Sequence, residues 1–181
     1  MRVIVIGGTG TIGSAVVKRL STRHEVVVVG HKKGTFQVDL ASPDSITSLF
    51  KAIGTCDAVV STAGIAKFAS LDDLTYDDYF IGLKNKLMGQ ANLVRIGRPF
   101  VTNHGSFTLT SGVLSQNPMK GSASISMVNA GLEGFVRAAA IDLPRGLRVN
   151  VVSPPWVTET LIARSMDPSI GIPADQVAQA Y

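Results

Sequence analysis

The sequence contains a single cysteine, Cys56, so no disulfide can form within the chain. A lone thiol of this kind is most simply a small core residue of a protein that works in a reducing compartment. No N-terminal targeting segment is expected, because glycines interrupt the apolar residues after Met1 before a signal-peptide core could develop. We therefore predict a cytoplasmic location.

Long apolar runs and a strong charge of one sign are also absent. The apolar run at residues 26–29 is far too short to cross a bilayer. The formal net charge is +4, and the basic residues are scattered except in the triplet His31-Lys32-Lys33. We therefore predict no membrane span and no nucleic-acid partner, and we identify no metal-binding pattern.

Short β-branched runs alternate with segments of helical periodicity, a pattern typical of βαβ units and a parallel sheet. Strands are predicted at residues 3–6, 25–29, 36–38, 58–61, 107–110 and 148–152. Helices are predicted after residue 10, at 43–53, 76–96 and 128–143, and from residue 174 onward. No linker divides the chain, so we predict one domain spanning 1–181, in which a last sheet-edge strand is absent.

The segment after the first strand is the most informative motif. The apolar run at residues 2–6 leads directly into Gly7-Gly8-Thr9-Gly10-Thr11-Ile12-Gly13, and an amphipathic helix follows. Glycines permit a tight turn and close approach of the backbone to phosphates, and the helix N-terminus offers unpaired N–H groups. We therefore predict a Rossmann-type, doubly wound parallel α/β sheet flanked by helices, which binds a dinucleotide pyrophosphate at Gly7, Thr9, Gly10, Thr11, Ile12 and Gly13.

The end of the second strand indicates which dinucleotide is bound. A carboxylate there would bind the ribose 2′-hydroxyl of NAD, whereas cations suit the 2′-phosphate of NADP. The sequence has His31, Lys32 and Lys33 at this point and no acidic residue before Asp39. We therefore predict NADP(H) in preference to NAD(H), with the two lysines on the 2′-phosphate. The alternative is a solvated, lysine-rich turn.

Further landmarks follow in a fixed order along the chain. Asp39-Leu40 follows the third strand, Ser61-Thr62-Ala63-Gly64 ends the fourth, and Ser111 follows the fifth. The later stretches are Leu132-Glu133-Gly134-Phe135 and Arg148-Val149-Asn150-Val151-Val152-Ser153-Pro154. Together with the glycine turn, this series resembles the single-domain branch of the short-chain dehydrogenase/reductase family over essentially the whole chain.

The resemblance implies a set of cofactor contacts at the carboxyl ends of the strands. Asp39 and Leu40 would flank the adenine, and His31 would either donate a hydrogen bond to the 2′-phosphate or stack on the adenine. The segment from Ser61 to Ala63 and Gly64 would lie near the adenosine ribose. The carboxamide of the nicotinamide would lie near Pro154, Val157 and Thr158. The resemblance also implies a homodimer or homotetramer formed through the two long helices.

Most of the catalytic residues of the family pattern are replaced in this sequence. The catalytic Tyr-x-x-x-Lys of the family corresponds here to Ile125 and Asn129. The helix asparagine that completes the family's tetrad corresponds to Lys86, with Asn85 next to it. The usual Pro-Gly after the sixth strand is Pro154-Pro155. Because isoleucine can neither donate nor accept a proton, the usual general acid is missing.

Three residues are left as catalytic candidates. Ser111 is at the family's serine position, although a serine is also ordinary turn chemistry after a strand. Asn129 could hydrogen-bond the nicotinamide ribose. Lys86 is the candidate replacement cation, although a surface lysine on a long helix is the simpler interpretation.

Two functions fit these observations. The first is an NADP(H)-dependent oxidoreductase that acts on a small carbonyl or alcohol with non-standard catalytic residues. The alternative is a non-catalytic NADP(H)-binding module with a regulatory or redox-sensing role. The sequence does not identify the small-molecule substrate.

Overall fold

Six parallel strands form one sheet in the computed structural model, which describes all of residues 1–181. The strands are β1 (Arg2–Ile6), β2 (Glu25–Gly30), β3 (Phe36–Gln37), β4 (Cys56–Ser61), β5 (Val101–Thr110) and β6 (Arg148–Val152). Their order across the sheet is β3-β2-β1-β4-β5-β6. This order confirms the predicted doubly wound α/β fold, since the chain builds outward from β1 in both directions.

The helices lie between the strands in the expected alternation. They are α1 (Thr11–Leu20), α2 (Pro43–Ile53), α3 (Tyr76–Gly82), α4 (Gly89–Gly97), α5 (Ala123–Asp142), α6 (Thr158–Ala163) and α7 (Ala174–Val177). None of them is long and apolar enough to cross a membrane. The predicted helix at 76–96 is not regular, because a π-helical segment, Leu83–Met88, joins α3 to α4.

Local sequence signals explain why these helices begin and end where they do. The Ser42 side chain caps α2 by accepting a hydrogen bond from Ser45 N at 3.2 Å, and Gly54 ends the helix at φ +78°. Thr75 and Asp78 form a reciprocal capping box at the start of α3. Both helix starts therefore depend on short polar side chains at the N-cap.

Apolar side chains cover both faces of the sheet. On one face, residues of α2, α4 and α5, including Phe50, Leu93 and Leu132, pack against the strands. On the other face, Val16 of α1 and Val177 of α7 pack against β1 and β4. The loops at the carboxyl ends of the strands therefore project from a core that is closed on both sides.

The strand β5 begins six residues earlier than predicted. Its pairing with β4 shifts register between Cys56↔Val101 and Ala58↔Ser106, and His104 within the irregular stretch has φ +61°. A run containing Asn103, His104 and Gly105 lacks the β-branched pattern on which the prediction depended. The sequence pattern therefore identified only the regular, carboxyl-terminal part of the strand.

Candidate active site

The predicted site residues lie along the carboxyl edge of the sheet. At the centre of this edge, β1 pairs with β2 on one side and with β4 on the other. The helix that follows β1 and the helices that follow β4 lie on opposite faces of the sheet. This arrangement opens a crevice above the ends of the two strands. The glycine turn enters this crevice from β1.

The glycine turn is held by main-chain hydrogen bonds. Gly7 N and Gly8 N donate to Val29 O at 2.8 and 3.1 Å, and Gly10 N donates to Gly7 O at 2.9 Å. Gly7 has φ +79°, a conformation that side chains disfavour. A Cβ atom on Gly13 would lie only 1.9 Å from Gly7 O, so residue 13 must be glycine in this turn.

The start of α1 is open to an anion. Its N-cap residue, Gly10, has no side chain to cap the helix, and the first turn contains no acidic residue. Thr9, Gly10 and Thr11 are exposed. The free N–H groups and the positive end of the helix dipole therefore face the crevice.

The basic triplet lies at the exposed end of β2. Lys32 and Lys33 are exposed, and neither belongs to any of the three ion pairs of the chain. His31 is also exposed, and its Nδ1 lies 3.3 Å from Val38 O, which can accept a hydrogen bond from it. Asp39 Oδ1 accepts a hydrogen bond from Ala41 N at 2.9 Å and closes a local turn.

The side chains of three predicted contact residues do not reach the surface of the crevice. Leu40 packs in the apolar core. Ser61 is fully buried, and its hydroxyl has no hydrogen-bond partner. Thr158 starts α6 outside the cavity described below, whereas Thr160 lines it. At the end of β4, the crevice is instead bordered by Ala63 and Gly64, both less buried than Ser61.

A small cavity of about 200 Å³ lies at the ends of β5 and β6. No aspartate or glutamate lines it, and its walls include Phe68 and Trp156, whose rings meet edge to face. It brings together six of the predicted residues, which are Ile12, Lys86, Ser111, Asn129, Pro154 and Val157. A wider depression of about 580 Å³ lies between α1 and the C-terminal residues and contains none of the predicted site residues.

Lys86 projects into this cavity from the π-helical segment. Its ammonium group donates a hydrogen bond to Ser111 O at 3.0 Å, and burial lowers the pKa of Lys86 to about 8. A Cβ atom on Gly64 would lie 2.6 Å from Lys86 Cγ, so the glycine leaves room for the lysine stem. Lys86 is therefore partly buried at the cavity, and its ammonium group has a main-chain partner.

Ser111 directs its hydroxyl away from the expected position. The side chain is buried, and its hydroxyl lies 3.0 Å from Glu133 Oε1 and 3.1 Å from Asn129 O, both acceptors on α5. Sequence analysis missed Glu133 as a site residue. Its spacing of four residues from Asn129, which places both on one helix face, was the available signal.

Asn129 has one satisfied and one free polar atom. Its Nδ2 donates a hydrogen bond to Gly112 O at 3.2 Å, while the buried Oδ1 has no partner. A buried acceptor without a donor is uncommon and favours an incoming hydroxyl or N–H group. Ile125 also lines the cavity, so the position of the family's tyrosine presents only carbon atoms.

Comparison with known proteins shows which family the chain resembles. The sequence model of a family described as enoyl-(acyl carrier protein) reductase matches residues 11–179. The short-chain dehydrogenase/reductase ATR9 of Stachybotrys chlorohalonatus is 29% identical, with 99% of this chain and 88% of that protein covered.

Two solved structures extend the comparison. The protein lin1944 from Listeria innocua has a TM-score of 0.95 and 38% identity, with 99% of this chain and 91% of that chain covered. A small-chain dehydrogenase in complex with NADPH has a TM-score of 0.86 and 26% identity, with coverage of 100% and 89%. The fold, the glycine turn and these similarities together establish that the chain belongs to the short-chain dehydrogenase/reductase family.

Proposed function

We propose that this protein is an NADP(H)-dependent oxidoreductase that reduces a small carbonyl compound to an alcohol. The observation that carries the proposal is the Lys86 ammonium group at a cavity that Ile12 of the glycine turn also lines. A non-catalytic module would need the turn alone, whereas an ammonium group that lines the cavity suits a reaction at a carbonyl oxygen. We therefore favour the enzyme over the binding module.

The residues of the crevice fit a nicotinamide dinucleotide. The uncapped start of α1 and the close-packed Gly7 and Gly13 leave room and N–H donors for a pyrophosphate. At the other end, the free Oδ1 of Asn129 can accept a hydrogen bond from a ribose hydroxyl. When bound, NADPH supplies the hydride for the reaction.

Lys86 is suited to supply the proton. With a pKa near 8, its ammonium group predominates at neutral pH and is a stronger acid than an ordinary lysine. The hydrogen bond to Ser111 O keeps one N–H occupied and leaves two to face a carbonyl oxygen. In the reverse direction, the neutral amine would accept the proton of the alcohol.

The preference for NADP(H) depends on Lys32 and Lys33. The double variant Lys32→Gln/Lys33→Gln is expected to weaken NADPH binding about tenfold or more, because two cations near the 2′-phosphate are lost. NADH binding should change little. Calorimetric titration with each nucleotide measures both effects, and Lys51→Gln, which removes an exposed lysine of α2, is the control. Equal loss of affinity for NADPH and NADH would contradict the assignment.

We further propose that the protein forms a homo-oligomer through α4 and α5. An apolar groove of about 370 Å³ runs between these helices, and its walls include Met88, Val94, Phe135 and the exposed Ala138. Exposed apolar surface of this kind is typical of an interface. Ala138→Arg is therefore expected to give a monomer in sedimentation velocity, whereas Ala140→Arg, at an exposed position outside the groove, should not. A wild-type protein that sediments as a monomer would contradict the proposal.

A further inference from the structure

Glu133 is a buried carboxylate without a cationic partner. It is only 8% exposed, and the three ion pairs of the chain all lie elsewhere. Its Oε1 accepts hydrogen bonds from the hydroxyls of Ser115 at 2.6 Å, Ser153 at 2.7 Å and Ser111 at 3.0 Å. Burial raises the pKa of Glu133, but hydrogen bonds from Ser115, Ser153, Ser111 and Gln116 lower it to below the usual value. The group is therefore charged at neutral pH.

The three serines come from different parts of the site. Ser111 follows β5, Ser115 ends the short 3-10 turn after it, and Ser153 follows β6. One side chain of α5 thus holds the ends of both strands that border the cavity. A buried charge is costly unless its hydrogen bonds are satisfied, and these three hydroxyls satisfy Oε1 of Glu133.

Ser111 connects Glu133 to Lys86, the proposed proton donor. The Ser111 hydroxyl is within hydrogen-bond distance of Glu133, and the Ser111 carbonyl oxygen accepts the hydrogen bond from Lys86. A serine hydroxyl has one proton. When it is donated to Glu133, it is not available to the carbonyl oxygen of a substrate.

We propose that Glu133 is a positioning residue that holds Lys86 in the cavity through Ser111. The inference rests on the proposed function, in which Lys86 donates the proton. Ser111 then acts as the link between the two charged groups, and its hydroxyl does not touch the substrate. No carboxylate lines the cavity, and the other charged side chain there is Arg164. Glu133 therefore acts on Lys86 from outside the cavity wall, through the hydrogen bonds of Ser111.

The test compares Glu133→Gln with Ser111→Ala. Each is expected to lower kcat for carbonyl reduction about 10-fold to 100-fold with little change in KM, and the double variant should be no worse than either single variant. The carbonyl used is whichever member of a panel of small aldehydes and ketones the wild type reduces fastest with NADPH. Glu25→Gln, which removes a surface carboxylate, is the matched control and should behave as wild type.

A second readout needs no cofactor. The rate at which acetic anhydride acetylates Lys86, followed by mass spectrometry against pH, reports the pKa of its amine in the free protein. Both variants should raise this pKa toward the ordinary value of lysine, because burial in the cavity lowers it and a Lys86 side chain that is no longer held there is more exposed to water. If Glu133→Gln does not fold, Ser111→Ala still interrupts the link while leaving two hydrogen bonds to the carboxylate.

The outcomes separate the inference from the proposed function. A raised KM in Ser111→Ala, with the pKa of Lys86 unchanged, would show that the Ser111 hydroxyl binds substrate and would overturn the inference. An unchanged kcat and Lys86 pKa in both variants would overturn it as well. If the wild type reduces no carbonyl in the panel, the proposed function fails, whereas the acetylation measurement still decides whether Glu133 acts on Lys86.

Discussion

Lys86→Met is expected to lower kcat for carbonyl reduction by about 10² to 10⁴-fold, the range that a positioned general acid contributes. Methionine keeps most of the apolar stem that packs against Gly64 but cannot donate a proton. No other side chain at the position of the family's acid can replace it, because Ile125 presents only carbon atoms. NADPH affinity should be retained, since the glycine turn and the basic triplet are untouched. Steady-state rates and calorimetry measure the two effects.

The pH dependence of the wild type tests the same assignment. Because burial lowers the pKa of Lys86 to about 8, the ammonium form predominates below that pH and is lost above it. Carbonyl reduction should therefore be nearly constant below pH 8 and decline as the pH rises through this value. Lys86→Met should lack this decline.

Lys84→Met is the matched control. Lys84 lies two residues from Lys86 in the same π-helical segment, but it is exposed, and its ammonium group lies over the Phe80 ring at 5.3 Å from the centroid. Loss of the Lys84 ammonium group should leave kcat within about twofold of the wild-type value. The exposed contact with Phe80 contributes at most about 1 kcal/mol to the stability of the fold, so its loss should not disturb the site. Equal activity of the Lys84 and Lys86 variants would exclude Lys86 as the proton donor.

Gly13→Ala is expected to disrupt the fold more than alanine at any other glycine of the chain. The new Cβ atom would lie 1.9 Å from Gly7 O and 2.7 Å from Thr62 Oγ1, and the carbonyl is main chain that cannot swing aside. Overpacking of this severity costs about 3 kcal/mol or more. The Tm of a chain of this length should then fall by about 6–12 °C, and NADPH binding should be lost because Gly7 must move.

Gly134→Ala provides the control for this substitution. The nearest heavy atom to a Cβ at Gly134 is Arg137 Nη2 at 3.8 Å, and the residue lies within α5. Alanine there should raise stability by about 0.5–1 kcal/mol, the difference between the two residues in a helix. Calorimetric melting and NADPH titration of both variants complete the comparison. A Gly13 variant with the Tm and NADPH affinity of the wild type would refute the proposed packing of the turn.

The sequence predicted those features that depend on local pattern. The glycine turn between β1 and α1 was identified because its spacing, the preceding apolar run and the following helix all agree with one structure. The start of α2 was placed at its observed residue because Ser42 and Pro43 are strong signals at a helix N-terminus. The parallel sheet was predicted from the alternation of β-branched runs and helices.

The directions in which individual side chains point were harder to predict from the sequence. Lys86 lines the cavity from a π-helical segment within a helix that the sequence predicts as regular. Ser111 faces α5 because Glu133, 22 residues further on, accepts its hydroxyl. Such outcomes depend on pairs of residues that are distant in sequence, which single-residue patterns do not contain.

The π-helical segment has a consequence for how this site could change over generations. A π turn holds one residue more than an α turn, so loss of a single codon between residues 83 and 88 could restore a regular helix. Side chains on one side of the deletion would then rotate by about 100° about the helix axis relative to the other. A deletion between Lys86 and α4 would thus turn the cation of this cavity relative to α4. Related chains could therefore gain or lose this chemistry through a change in length alone, with no substitution in the cavity.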